Sequence, residues 1–176
     1  MKFEILSSEI LINGRVFDLR RDHVRYPDGR ESDYDIIVHS GAVTLVPVNG
    51  DGEIWFVRQY RHATGETLLE LPAGTIEEEE QPEDCAEREL REEIGYATGS
   101  LIKIGEFYLA PGYSNELMHI FFASQLTYDP LQPDAHEFLQ TEVYKSSDVF
   151  SMLKNSEFKD AKTIAALCMV LPHLNN

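Results

Sequence analysis

In the segment Gly74-Thr75-Ile76-Glu77-Glu78-Glu79-Glu80-Gln81-Pro82-Glu83-Asp84-Cys85-Ala86-Glu87-Arg88-Glu89-Leu90-Arg91-Glu92-Glu93-Ile94-Gly95, a proline stands where a helix can begin and a glycine where it can end. Proline fits the first helical position because its missing N–H has no intrahelical partner there, and glycine accepts the left-handed backbone of a C′ residue. The pattern predicts a helix over Pro82–Ile94. Ala86, Leu90 and Ile94 form its apolar stripe, while Glu89, Glu92 and Glu93 converge on another face. Like charges four residues apart cost an isolated helix about 0.2–0.5 kcal/mol per pair. From Glu77 to Glu93 ten acids stand against only Arg88 and Arg91. A hard divalent cation would relieve that repulsion, since Mg²⁺ takes a few carboxylates and completes its shell with water and substrate phosphates. An arbitrary acidic helix is more often a solvated face; the spacing of this one decides otherwise below.

Outward from this helix the chain reads as an α/β protein. Phe3 to Val38 is punctuated by Asn13-Gly14 and Pro27-Asp28-Gly29, turn sequences that close a small antiparallel β-module. Ala42–Val48 and Ile54–Val57 flank Asn49-Gly50-Asp51-Gly52 and predict two central strands. Leu71-Pro72-Ala73-Gly74 breaks the pattern before the helix. Beyond it, strands are expected at Leu101–Leu109, Met118–Ala123 and Gln140–Tyr144, with loops at Pro111–Asn115 and Tyr128–Glu137. Helices are expected at Ser147–Lys154 and Asp160–Leu171. Ile164, Leu167, Cys168 and Leu171 lie at helical spacing, so the last helix is read as a cover for the core.

Composition sets the limits. The 176 residues suit one principal folded core, and 43% hydrophobic with 26% charged residues excludes a disordered chain or a coiled coil. A net charge of −16 has the wrong sign for a nucleic-acid scaffold or a binder of anionic membranes. Cys85 and Cys168 lack metal-ligand spacing and are read as two buried thiols in a reducing compartment. With no apolar run near the length of a membrane span and no secretory leader, the protein is expected to be cytoplasmic.

Gly74, Glu80, Arg88, Glu89, Leu90, Glu92, Glu93 and Gly95 together resemble the signature of the Nudix hydrolases: eight fixed positions over 22 residues, with Tyr96 departing from the usual aliphatic that follows. The resemblance implies a Nudix-type α/β/α sandwich with a mixed sheet, preceded by the small antiparallel β-module. It implies a boundary between residues 1–40, used for dimerisation and part of the substrate pocket, and the hydrolase domain at 41–176. It also implies Glu89 and Glu93 as principal metal ligands, Glu92 as a further ligand or a contact to the reacting water, and the Ala73 carbonyl as a backbone ligand. Arg88 and Glu80 would fix the loop against the helix, with Gly74 and Gly95 as structural positions of the motif. The metal would be Mg²⁺, with Mn²⁺ as the alternative.

The likeness extends over nearly the whole chain and points to the ADP-ribose pyrophosphatase group. Val57-Arg58-Gln59-Tyr60-Arg61 with Leu68–Gly74, the proline loop Ala110–Glu116, and the β-module followed by Gly41-Ala42-Val43 are all similar to that group. Arg61 is the first candidate for a phosphate or ribose contact because guanidinium binds anionic oxygens bidentately, and Arg58 is the second. Pro111 marks the loop associated with ADP-ribose hydrolysis, and Tyr113, Tyr26 and His39 are candidates to line a base pocket. For the general base two glutamates qualify, Glu116 in the proline loop and Glu137 in Asp134-Ala135-His136-Glu137-Phe138; Glu137 is also a candidate metal ligand. The resemblance thus implies a homodimer that hydrolyses the diphosphate bond of ADP-ribose to AMP and ribose 5-phosphate. Its rivals are the same chemistry on another nucleoside diphosphate sugar such as GDP-mannose, a non-catalytic ADP-ribose sensor, and a purely structural acidic domain.

Overall fold

The turn sequences close the N-terminal hairpins where the sequence places them. In the computed structural model, which describes residues 2–133 and 138–174, β1 (Glu4–Asn13), β2 (Asp18–Arg25) and β3 (Glu31–Val38) form an antiparallel sheet in that order. Gly29 adopts φ +88° and donates its N–H to the Tyr26 carbonyl at 3.0 Å, tightening the second turn. The chain divides into two units, Met1–Gly41 with Tyr108–Leu117, and Ala42–Phe107 with Met118–Asn176. The proline loop therefore belongs with the N-terminal sheet, beyond the boundary expected near residue 40. It is held there by Ile37 N–H to Tyr113 O at 2.8 Å and Asn115 N–H to Ile37 O at 3.2 Å.

In the larger unit, β4 (Ala42–Pro47) is buried along its whole length and lies centrally in a mixed sheet of order β7-β4-β9-β8. It runs antiparallel to β7 (Ala73–Thr75) and parallel to β9 (Leu117–Tyr128), with β8 (Tyr96–Tyr108) at the edge. Burial on both faces is what a run of Ala-Val-Thr-Leu-Val permits. The companion strand β5 (Glu53–Arg61) is also central, but in a different sheet, flanked by β6 (Glu66–Glu70) and β10 (Leu139–Lys145). Val48, just after β4, forms an isolated antiparallel bridge with Ile54 of β5.

Helix α1 (Pro82–Glu93) packs on β4 and β7. Its stripe of Ala86, Leu90 and Ile94 joins Val43, Leu45, Val57, Phe121 and Ala123 in one apolar cluster, and Gly95 ends it at φ +81°. Helix α2 (Ser146–Lys154) packs on β10 and β5, and α3 (Ala161–Leu174) on β4.

The expected stripe of α3 requires correction. The buried positions are Lys162, Thr163, Ala166, Leu167 and Val170. Cys168 is exposed, so only Cys85 is a buried thiol, and Leu171 is 42% exposed. Two polar residues in the first turn, satisfied by partners described below, rotate the inward face away from the one that hydropathy selects. Among the described residues no helix is long and apolar enough to cross a membrane.

Candidate functional site

β7 is three residues long, and two of them carry the acidic face of α1. A Cβ on Gly74 would stand 1.8 Å from Glu89 Oε1 and 2.0 Å from its Cδ, so the Glu89 carboxylate occupies the space that only glycine leaves. One residue earlier, Ala73 N–H donates to Glu93 Oε2 at 2.9 Å. Glu89 and Glu93 are both 6% exposed. Two carboxylates are thus drawn into the fold against Ala73 and Gly74, an arrangement that is costly unless the charge is compensated.

Arg88 supplies part of that compensation. Its Nη1 donates to Glu89 at 2.5 Å and to Glu92 at 3.1 Å, while Nε and Nη2 grip Glu80 at 2.9 and 3.0 Å. Nη2 also reaches the Thr75 carbonyl at 3.3 Å. Glu80 in turn accepts the Glu77 N–H at 2.9 Å, so the loop after β7 is tied to the helix. The Arg88 hydrogen bonds hold the Glu80 carboxyl at about 2, against the opposing effect of its burial. The Cys85 thiol beneath this cluster is pushed well up, first by burial and then by the charge of Glu80.

Glu89, Glu92 and Glu93 have different partners in this geometry. Among the described residues no three such side chains close into a metal-holding group. Glu89 and Glu92 share Arg88 Nη1, whereas Glu93 is turned to the Ala73 amide. The donor set nevertheless fits a hard divalent cation. It consists of oxygen donors only, with the Glu89 carboxylate seated in a glycine cradle beside the residue whose carbonyl is the expected backbone ligand.

Arg61 lies at the end of β5 and makes a two-point contact with Glu70, 2.8 Å from Nε and 2.7 Å from Nη2. Glu70 is 1% exposed. Burial works to raise its pKa, but the Arg61 hydrogen bonds and the Lys162 charge outweigh this and hold it below the usual carboxylate range. Arg61 is held up chiefly by Glu70, and the charge of Glu93 also reaches it. Lys162 Nζ binds both Glu70 and Asp160, the latter at 2.9 Å. This buried network escapes sequence reading, because the hydropathy pattern of α3 assigns Lys162 to the surface.

A Nudix-domain family model matches residues 38–167. The chain belongs to the Nudix family. A second model, the nucleoside diphosphate sugar hydrolase N-terminal domain, matches residues 3–37. The chain is 36% identical over 164 residues to an ADP-ribose pyrophosphatase of Bacillus subtilis, spanning 92% of this chain and 89% of that one. It is 41% identical over 135 residues to an ADP-ribose pyrophosphatase of Mycobacterium tuberculosis, spanning 76% and 65%. Among solved structures, the crystal structure of an ADP compounds hydrolase superposes with a TM-score of 0.87 at 26% identity, over 99% of this chain and 95% of that one.

The other expected site residues of this Nudix protein fall in several places. Arg58 and Arg61 stand on opposite faces of β5, because side chains three apart on a strand alternate. Arg58 makes a two-point ion pair with Glu142 and helps line a cleft of about 470 Å³ with Leu68, Leu69, Tyr144, Met152 and Lys159. In the smaller unit, His39 N–H donates to Asn115 Oδ1 at 2.8 Å, which joins the end of β3 to the proline loop. Pro111 and Tyr113 are exposed in that loop, and Glu116 N–H donates to Ser114 Oγ at 3.1 Å. Tyr26 stacks edge-on with Phe3 and bonds Tyr34 through the hydroxyls at 2.7 Å. Glu137 lies outside the described residues.

Proposed function

We propose that this Nudix protein hydrolyses the diphosphate bond of ADP-ribose, adding water to give AMP and ribose 5-phosphate. The observation that carries the reading is the seating of Glu89 against Gly74 and Glu93 against Ala73, on a chain that resembles an ADP-ribose pyrophosphatase along 92% of its length. Glu89, Glu93, Glu92 and the Ala73 carbonyl would hold Mg²⁺ or Mn²⁺, which would supply charge stabilisation to the diphosphate and acidify the attacking water.

The chain's own residues do the rest. Arg88 balances the carboxylates and, through Glu80, keeps the loop in place. Arg61, fixed by Glu70, presents positive charge to a substrate phosphate, and Arg58, paired with Glu142, is the second candidate for such a contact. His39, Pro111 and Tyr113 contribute to recognition of the nucleoside or sugar, and Glu116 or Glu137 takes the proton from water. The β-module joins two copies into a cytoplasmic homodimer and completes the pocket. Exposed Ile5, Ile12, Val16 and Phe17 on that module support the dimer, and two free cysteines fit a reducing compartment.

The test is turnover on a panel of ADP-ribose, GDP-mannose, NADH, diadenosine polyphosphates and nucleoside triphosphates, with Mg²⁺ and with EDTA. A metal-dependent preference for ADP-ribose is expected. Preference for GDP-mannose would move the assignment to another nucleoside diphosphate sugar. Binding of ADP-ribose without turnover of any compound would replace the enzyme with a sensor.

A further inference from the structure

Three consecutive residues connect the buried ion network to the acidic helix, and each has its backbone fixed by a different element. Leu71 N–H donates to Thr163 Oγ1 on α3 at 2.9 Å. The Pro72 carbonyl accepts from Leu45 N–H at 2.9 Å and from Thr44 Oγ1 at 3.1 Å, both on β4. Ala73 N–H donates to Glu93 on α1 at 2.9 Å. Pro72 adds a locked φ in the middle. The segment therefore behaves as a short rigid bar between α3 and Glu93.

Its α3 end is oriented by charge. Asp160 Oδ2 accepts the Thr163 N–H at 3.0 Å and the Thr163 hydroxyl at 2.6 Å. A threonine hydroxyl has one proton, so giving it to Asp160 leaves only lone pairs facing the Leu71 N–H. Lys162 binds the same Asp160 oxygen and also Glu70, the residue just before Leu71. Lys162 is 8% exposed and Thr163 is fully buried. A buried ion cluster is a weak stabiliser compared with well-packed apolar residues, so its presence is better accounted for by the geometry it fixes.

We propose that the first turn of α3 positions the metal centre: Asp160 orients the Thr163 hydroxyl, which with Lys162 sets the Glu70–Ala73 segment and so places both the Ala73 carbonyl and the carboxylate of Glu93. Thr163 is thus a positioning residue, more than 60 residues from the motif in sequence. The inference rests on the reading of Glu93 as a metal ligand. A hydroxyl-to-methyl change leaves the volume of the side chain almost untouched, removes the acceptor for Leu71 and strands a buried N–H.

The experiment is a titration of the full chain with Mn²⁺, following free ion by electron paramagnetic resonance, with no substrate present. Thr163→Val is expected to weaken Mn²⁺ binding by about 10-fold or more, the cost of losing a group that orients a ligand. Thr163→Ser is expected to restore most of it. In turnover, kcat falls in Thr163→Val while KM for ADP-ribose changes little. Asp160→Asn, which keeps an acceptor oxygen but loses the charge, is the second variant should Thr163→Val fail to fold, and it too should bind Mn²⁺ more weakly. Wild-type Mn²⁺ affinity in a cooperatively folded Thr163→Val, or in Asp160→Asn, overturns the proposal. Glu93→Gln in the same titration separates the two claims. If it alone loses Mn²⁺, the positioning role fails and the metal site stands; if it keeps Mn²⁺, the metal reading itself has failed.

Discussion

Gly74 carries a steric argument that no hydropathy scale contains. A methyl at its Cα would need to displace the Glu89 carboxylate, which stands 1.8 Å from that position. Gly74 does not adopt a positive φ, so alanine should gain about 0.4–1 kcal/mol from the stiffer unfolded chain, offsetting the strain of moving a terminal carboxylate. Gly74→Ala is therefore expected to melt close to wild type while losing about 10-fold or more in turnover, the size of effect seen when a ligand is misplaced. Equal kcat in the variant would mean that Glu89 does not work from its present seat. Glu80 supplies a pH signature. Its folded pKa of about 2 lies below the ordinary 4.5, so the stability it contributes is fully present above 4.5 and is lost as pH falls towards 2. In denaturant titrations, wild type should exceed Glu80→Gln at pH 7, and the gap should close between those two values. A gap that persists unchanged at pH 2 would show that Arg88 is held by something else.

Among the elements, α1 was legible and α3 only in part, and the contrast has a physical cause. Helix α1 announces itself by Pro82, by a 3.6-residue apolar period and by Gly95. The last of these makes a direct prediction. At φ +81° an L-side chain is strained, while the space is adequate, the nearest atom to an added Cβ being Tyr128 Cε2 at 3.5 Å. Gly95→Ala should lose about 1–2 kcal/mol, lowering the melting temperature by roughly 2–8 °C. No measurable change in a thermal melt would mean that the helix ends elsewhere. Helix α3 hid its inward face because Lys162 and Thr163 are buried by charge pairing, which a hydropathy pattern assigns to the surface. The stripe Ile164, Leu167, Cys168 and Leu171 was accordingly rotated from the observed one. β7 left no trace because three residues, Ala-Gly-Thr, carry no period. Its pairing of Val43 with Gly74 and Thr44 with Ala73 exists only once β4 is in place. The pairing of Arg61 with Glu70 was likewise hidden, since Glu70 stands opposite Val57 in the β5–β6 register and no cross-strand pattern brings it to Arg61.

At the scale of the whole molecule the acidic balance becomes part of the chemistry. A chain of net charge −16 repels a diphosphate, and in the proposed function Arg61 together with a divalent ion at Glu89 and Glu93 would supply the cations that productive binding calls for. The motif spacing made the family readable, because eight residue types at fixed intervals are rarely fortuitous. What supports those residues came from across the fold, where Thr163 and Leu71, 92 residues apart in sequence, meet in the folded chain. Hydrolysis of ADP-ribose at the Glu89–Glu93 face is tested by product analysis of an ADP-ribose digest by wild type and by Glu93→Gln, each with Mg²⁺. AMP and ribose 5-phosphate are expected in equal amounts from wild type, and a rate lower by roughly 100-fold or more in the variant, the effect of losing a principal charge-stabilising group. Other products from wild type, or a variant that retains most of the rate, would contradict it.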